Sequence, residues 1–381
     1  MKFGIDVLRE SNFEALAGKR VGLVVNPASV DSRLVSTVDV LANQKRFKLT
    51  SLFGPEHGIY GDEYAGARVQ DTPKDARTGI PVYSLYGRNR RPSTQVRQNL
   101  DALVFDLQDI GSRSYTYLSS MKLCMDACAE SNVEFVVLDR PNPLGGDRIE
   151  GPMLRDGFRS FVSYLPIPYV HGMTMGELAQ FVQKRYHPKY TKLRVIKMNG
   201  WKRQMMWEDT GRQWVPTSPH IPNERSAAAY VATGILGELY VISIGVGYTQ
   251  PFELCGAPWI NGYALADVLN KEGLKNTWFR PVHFKPFYGT FLTVPCQGVQ
   301  VHFDPRTAEN LIEINFRLMR ALGAERILAA APKRHAMFDK VCGTDEVRKV
   351  LSSGGDLDAE FAKWRAECDQ FRKERAGSLL Y

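Results

Sequence analysis

Glu56 is the side chain of this sequence whose setting best suits acid–base chemistry. It lies in the segment 53–58, Phe-Gly-Pro-Glu-His-Gly, directly after an apolar run. Pro55 restricts the backbone before it, and Gly58 permits a tight turn after it. Partial desolvation of a carboxyl group at the mouth of an apolar sheet favours the protonated form that a general acid needs. The alternative is a loop glutamate that caps the next helix or pairs with an arginine.

Three more apolar runs, 102–105, 135–138 and 165–170, each lead into a polar loop. In open parallel sheets ligands bind beyond the carboxyl ends of the strands, so we expect these loops to share one rim with Glu56. Their polar groups are the side chains of Asp109, Arg113, Asp139, Arg140, Asn142 and His171. Two alternatives stay open: an Asp109–Arg113 ion pair that only orients its loop, and a structural turn at 139–143.

Five other polar residues lie in helix-cap, turn or domain-junction contexts. Thr174 and Glu177 have the spacing of a helix capping box, which gives Glu177 a structural role. Glu150, Glu253 and His220 are further candidates, and His220 lies among prolines at a predicted domain junction, where pockets often open.

The elements around these residues predict an α/β fold. Apolar runs at 21–25, 47–53, 81–85, 102–105 and 135–138 alternate with helical patterns such as 34–41 and 117–130. Strands that are apolar throughout and separated by helices indicate a parallel sheet covered on both faces. No glycine-rich dinucleotide fingerprint or Walker A pattern follows any of these strands, which weighs against nucleotide binding.

With 381 residues, the chain exceeds the usual size of a single core, which favours two domains. Three prolines interrupt both helical and strand patterns between 214 and 223. We therefore expect one domain at 1–225 and a second at 226–381. The second begins with a small-residue helix at 227–239 and ends with an amphipathic helix at 357–375.

Composition narrows the classes of partner. The net charge of +8 favours anionic ligands at long range. The basic residues are scattered, with the densest run at 88–91, and no zinc-finger or single-strand-binding signature accompanies them, so nucleic acid is not an expected partner. No apolar stretch has the length of a transmembrane helix, and the first residues lack the apolar core of a signal peptide. The six cysteines lack the spacing of a structural zinc site.

Six ordered blocks together resemble the NamZ-type exo-β-N-acetylmuramidases. They are the segments 53–58, 105–117, 138–143, 171–178, 217–222 and 251–259. The resemblance implies a Rossmann-like parallel sheet with helices on both faces, a smaller C-terminal α+β domain, and a cleft between or beside them. It also implies hydrolysis that releases N-acetylmuramic acid from the non-reducing end of peptidoglycan fragments without a metal or cofactor. Members of the family are usually exported.

The resemblance also assigns roles to residues. It carries the catalytic function to Glu56. Glycoside hydrolysis usually needs a second carboxyl group, for which we expect Asp109, then Glu150, then Asp139. Arg113 and Arg140 are the expected partners of the lactyl carboxylate of N-acetylmuramic acid. The other expected substrate contacts are His57, Tyr117, Asp139, Asn142, Glu150, His171, His220 and Glu253.

Two departures from the family pattern leave alternatives open. Val246 and Tyr248 stand where an arginine and a threonine are expected, and the segment 64–67 lacks expected acidic residues. These changes are compatible with a related amino-sugar glycoside as substrate, or with a non-catalytic binding protein for cell-wall sugars. A hydrolase of amides or esters is a third alternative, which the missing G-x-S-x-G motif disfavours.

Overall fold

The computed structural model describes residues 1–71 and 73–381, and within them it contains eleven β-strands and twelve α-helices. The strands are β1 Arg20–Val24, β2 Lys48–Gly54, β3 Val82–Ser84, β4 Ala102–Phe105, β5 Glu134–Leu138, β6 Glu150–Met153, β7 Pro168–Val170, β8 Leu193–Ile196, β9 Leu254–Ala257, β10 Thr277–Phe284 and β11 Cys296–Phe303. The helices are α1 Gly4–Glu10, α2 Thr37–Ala42, α3 Thr94–Arg97, α4 Tyr117–Ser131, α5 Met175–Tyr186, α6 Arg225–Gly237, α7 Gly262–Lys271, α8 Glu313–Ala321, α9 Ala324–Ala330, α10 His335–Cys342, α11 Glu346–Ser352 and α12 Leu357–Arg375.

The main sheet is parallel and has the strand order β3-β2-β1-β4-β5-β8. The chain builds outward from β1 in one direction and then returns to build outward from β4 in the other. The carboxyl ends of β1 and β4 therefore flank a topological switch point, where open α/β sheets bind their ligands. The predicted α/β class is confirmed.

Alternation along the central strands explains why both faces of the sheet are covered. Val24 and Phe105 belong to the core on one side, and they pack there with apolar residues of α4 and α5. Leu23 and Val104, one position earlier in each strand, belong to the core on the other side with residues of α1 and α2. Because successive side chains of a strand point to opposite faces, an all-apolar strand needs a helix layer on each.

The second half of the chain has an antiparallel sheet of its own, with the order β10-β11-β9. Helix α7 packs against β10 and β11. Apolar residues of α6, α8 and α12 join the same core cluster as α4 and α5, so the two halves share one continuous interior.

Two predicted elements differ from the structure. The segment 165–170 was expected to end at the rim of the parallel sheet, but β7 pairs antiparallel with β6 in a separate two-stranded sheet. The helix expected at 34–41 begins only at Thr37, because Leu34 has a left-handed backbone (φ 64°) and the Ser36 side chain caps the helix by accepting from the Val38 amide. No helix among the described residues is long and apolar enough to cross a membrane.

Candidate active site

A tight turn at the end of β2 presents Glu56. The Gly58 amide donates to the Pro55 carbonyl at 3.0 Å. His57 and Gly58 both have left-handed backbones, with φ of 72° and 76°. A histidine rarely adopts this conformation, so the surrounding contacts must hold it there. One such contact joins His57 Nδ1 and the Glu63 carbonyl oxygen at 2.8 Å.

Both carboxyl oxygens of Glu56 are held in place. Thr116 Oγ1 donates to Oε2 at 2.6 Å, and the Gly66 amide donates to Oε1 at 2.9 Å. Thr116 immediately precedes α4, so the loop after β4 supports the glutamate presented by the loop after β2. The Tyr86 hydroxyl is a further neighbour: burial, and then the Glu56 charge, raise its pKa.

Glu56 lines a cavity of about 280 Å³ between the two halves of the chain. The residues of the first half that line the cavity include Glu56, His57, Tyr115, Thr116, Ser218 and His220. Those of the second half include Tyr230, Glu238, Tyr240, Ile244, Val246 and Tyr288. Other surface depressions are larger, such as one of about 530 Å³ beside Arg20 and Arg91, but the Glu56 cavity is where carboxyl groups, histidines and aromatic rings converge.

Aromatic rings form one side of the cavity mouth. The Tyr288 ring stacks on His220 at 5.9 Å with an interplanar angle of 6°, and it also stacks on Tyr64 at 5.7 Å. Burial, together with the neighbouring His57 charge, lowers the pKa of His220. Neutral imidazole and phenol faces of this kind offer a flat apolar surface beside the carboxyl group.

Hydroxyl groups line the inner wall. Ser114 shares a hydrogen bond with Tyr230 at 3.0 Å and donates to the buried Tyr169 hydroxyl at 2.8 Å. The Tyr115 hydroxyl is buried and has no hydrogen-bond partner among the described residues. In the described part of the chain, no group of three or more His, Cys, Asp or Glu side chains is arranged to hold a metal ion.

Comparison with known proteins gives this cavity a family context. The sequence family described as "Exo-beta-N-acetylmuramidase NamZ, N-terminal" matches residues 21–225, and its C-terminal counterpart matches residues 228–381. This chain belongs to the NamZ exo-β-N-acetylmuramidase family. It is 39% identical over 378 residues to the peptidoglycan β-N-acetylmuramidase NamZ of Bacillus subtilis, covering 99% of this chain and 91% of that protein.

Two solved structures are similar to this chain over its whole length. A DUF1343 family protein from Bacteroides fragilis superposes with a TM-score of 0.93 at 46% identity, covering 100% of this chain and 98% of that one. A second DUF1343 protein from the same organism gives a TM-score of 0.80 at 29% identity with the same coverages. Both neighbours share the α/β fold of this chain.

Among the site residues predicted from the sequence, Glu56, His57 and His220 line the cavity. Tyr117 lies one layer behind: its hydroxyl donates to the Thr217 carbonyl at 2.6 Å, and its ring packs against Tyr115 at 4.6 Å. The other selected residues lie elsewhere, each engaged by neighbours inside the protein.

Asp109 and His171 lie together but not at the cavity. Asp109 Oδ2 accepts from the Gly111 amide at 2.8 Å and lies 3.3 Å from His171 Nε2. His171 Nδ1 accepts from the Met173 amide, which leaves the proton on Nε2, facing the carboxylate. This pair joins the loop after β4 to the loop after β7, and its position does not support Asp109 as the second catalytic carboxyl group.

The two arginines expected to bind the lactyl group are occupied within the fold. Arg113 is fully buried; its Nη1 donates to the carbonyls of Pro152 and Ile167, both at 2.7 Å, and Nη2 donates to the Cys342 carbonyl. Arg140 donates from Nε and Nη2 to the two carboxyl oxygens of Asp106 at 2.5 and 2.9 Å. Neither guanidinium is among the groups that line the cavity.

The loop after β5 also has a structural task. Asp139 accepts from Thr174 Oγ1 and from the Gly176 amide, both at 2.8 Å, at the beginning of α5. Burial raises its pKa to about 6. Asn142 holds the next turn by donating to the Met173 carbonyl at 3.1 Å. The capping box of Thr174 and Glu177 is confirmed.

Glu150 and Glu253 are likewise outside the cavity. Glu150 pairs with Arg148 and accepts from the Ile312 amide at 3.3 Å. Glu253 lies 3.6 Å from Arg225 Nε. The carboxyl group that does share the cavity with Glu56 is Glu238, which the sequence did not single out. It ends the helix predicted at 227–239, where no local motif distinguishes it from a surface glutamate.

The departures from the NamZ pattern have distinct positions. Val246 lines the cavity, whereas the Tyr248 ring packs on Phe284 and Phe287 at 5.7 and 5.2 Å. The segment 64–67 reaches the site through its main chain, because the Gly66 amide holds Glu56.

Proposed function

We propose that this protein hydrolyses the β-glycosidic bond that joins a terminal N-acetylmuramic acid to the rest of a peptidoglycan fragment, with Glu56 as the general acid. The observation that carries the proposal is the fixed position of Glu56 on the wall of a cavity, in a chain of the exo-β-N-acetylmuramidase family. The name of the Bacillus relative supports the same bond and substrate.

The size of the cavity supports action at a chain end. A volume of about 280 Å³ lies at the lower limit of ligand pockets, which suits one sugar residue rather than a bound chain. Hydroxyl and main-chain groups on the inner wall suit the hydroxyl and acetamido groups of that sugar. The His220–Tyr288–Tyr64 stack at the mouth is an apolar platform on which the leaving sugar can lie.

The geometry of Glu56 supports the acid role. Because Thr116 and Gly66 hold its carboxyl group, it approaches the glycosidic oxygen in one orientation and loses little entropy on reaction. In the reaction it gives a proton to the leaving oxygen as the bond from the anomeric carbon breaks.

The lactyl carboxylate must find a partner other than Arg113 or Arg140. No lysine or arginine is among the described residues that line the cavity. Donors on the lining include the imidazole of His220 and the hydroxyls of Ser218 and Thr290. We expect these donors to bind the carboxylate less tightly than a bidentate arginine does.

The test is hydrolysis of two substrates by the wild type and by Glu56→Gln: 4-nitrophenyl β-N-acetylmuramide and the disaccharide N-acetylmuramyl-β-1,4-N-acetylglucosamine. The wild type should release N-acetylmuramic acid from both. Glu56→Gln should lose about 10²- to 10⁴-fold on the disaccharide. It should lose less on the aryl glycoside, whose leaving group needs no proton. Binding of the disaccharide without any cleavage by the wild type would instead identify a non-catalytic binding protein.

A further inference from the structure

Glu238 stands across the domain junction from Glu56, in the same cavity. It follows the last residue of α6, in the second half of the chain, whereas Glu56 follows β2 in the first half. Both side chains line the cavity. A pair of carboxyl groups that flank one sugar site is the usual arrangement for glycoside hydrolysis.

Arg334 holds Glu238 in a defined state. Its Nη2 donates to Glu238 Oε2 at 3.1 Å, and its Nε donates to the Glu238 carbonyl oxygen at 2.8 Å. The guanidinium also lies over the Tyr240 ring, 4.2 Å from the centroid. Glu238 Oε1 has no hydrogen-bond partner among the described residues, so one oxygen is anchored and the other is left for a ligand or water.

The electrostatic setting distinguishes the two carboxyl groups. Burial raises the pKa of Glu238, Arg334 opposes that effect, and the Glu56 charge adds to it. Tyr230 and Tyr169, whose pKa values burial raises, also face Glu238 and stay neutral. The two carboxyl groups also have different partners: the Arg334 guanidinium for Glu238, and the Thr116 hydroxyl with the Gly66 amide for Glu56.

We propose that Glu238 is the second catalytic carboxyl group and acts as the base that activates the attacking water. This inference rests on the proposed function. As the bond from the anomeric carbon to the leaving oxygen breaks, its electron pair stays with that oxygen, which takes the proton of Glu56. The water oxygen bonds to the anomeric carbon, and its proton passes to Glu238. Proton exchange with solvent then restores both groups.

The experiment measures kcat and KM of Glu238→Gln, Glu238→Ala and Glu56→Gln on the two muramyl substrates. Glu325→Gln, a change on the exposed face of α9, is the matched control. Glu238→Gln should lose about 10²- to 10⁴-fold in kcat on both substrates, because activating water is needed whatever the leaving group. Glu56→Gln should lose much more on the disaccharide than on the aryl glycoside. Azide should restore turnover of Glu238→Ala and yield a glycosyl azide.

The outcomes separate the two proposals. Wild-type cleavage with Glu238→Gln within fivefold of it would overturn the role of Glu238 and leave the muramidase function standing. An absence of wild-type cleavage would overturn both. Calorimetric binding of N-acetylmuramic acid shows that a slow variant is folded. If Glu238→Gln does not fold, Glu238→Asp keeps the negative charge but withdraws the carboxyl group by one methylene, and it should lower kcat by a similar factor on both substrates.

Discussion

The hydrogen bond from Thr116 to Glu56 makes a quantitative prediction. Thr116 is buried, and its hydroxyl donates to Glu56 Oε2 at 2.6 Å. Thr116→Val keeps the shape of the side chain and removes this donor, so Glu56 loses one of the two contacts that orient it. A hydrogen bond to an ionisable carboxyl group contributes about 1.5–3 kcal/mol. If that contribution is needed in the transition state, kcat/KM falls about 10- to 150-fold.

The assay is steady-state cleavage of N-acetylmuramyl-β-1,4-N-acetylglucosamine, followed by release of N-acetylmuramic acid. Thr116→Ser is the matched control, because it keeps the hydroxyl and loses only a methyl group. Thermal unfolding of both variants separates a kinetic effect from loss of the fold. Activity of Thr116→Val within twofold of Thr116→Ser would refute the view that Thr116 positions Glu56.

Three further predictions concern the surroundings of the site. Arg334→Met removes the positive charge that lowers the pKa of Glu238. The acidic limb of the pH profile of kcat/KM should therefore move to higher pH by about 0.7 unit, which corresponds to about 1 kcal/mol for a partly exposed ion pair. An unmoved acidic limb would contradict a catalytic role of Glu238. Tyr288→Ala should raise KM for the disaccharide more than for the aryl glycoside, and equal effects would rule out a leaving-sugar platform. Arg113→Met leaves buried carbonyls unpaired and should lower the free energy of unfolding by about 3–5 kcal/mol in urea titrations; a loss under 1 kcal/mol would be inconsistent with its structural role.

The parallel sheet could be predicted from the sequence because the composition of each strand is a local feature. Strands apolar on both faces, such as β4 and β5, can only be stable beneath two helix layers, so their composition predicts their neighbours. The turn at Glu56 was equally predictable, since proline and glycine constrain the backbone directly. The separate β6–β7 sheet was not, because a short apolar run such as 165–170 does not indicate which strand it pairs with.

The sequence could not decide which polar side chains line the cavity and which only stabilise the fold. Arg113 and Arg140 follow strands of the sheet just as Glu56 does, and the strand-end rule treats all three alike. Their roles differ because the second half of the chain covers part of that rim. The carbonyl of Cys342, more than two hundred residues away, occupies one Arg113 nitrogen. Glu238 escaped notice for the converse reason: only the folded chain brings the end of α6 to Glu56.

The internal pairing of Arg113 and the unexpected position of Glu238 have the same cause, which is the packing of the two halves. A buried arginine that donates to carbonyls from both halves fixes how they meet, and the cavity is what their meeting leaves open. The first half alone supplies Glu56 and its Thr116 support, but neither Glu238 nor the Tyr230 and Tyr288 walls. The cavity therefore requires the shared core to be intact. We expect Arg113 to influence activity through the packing of the two halves, without contact with the substrate.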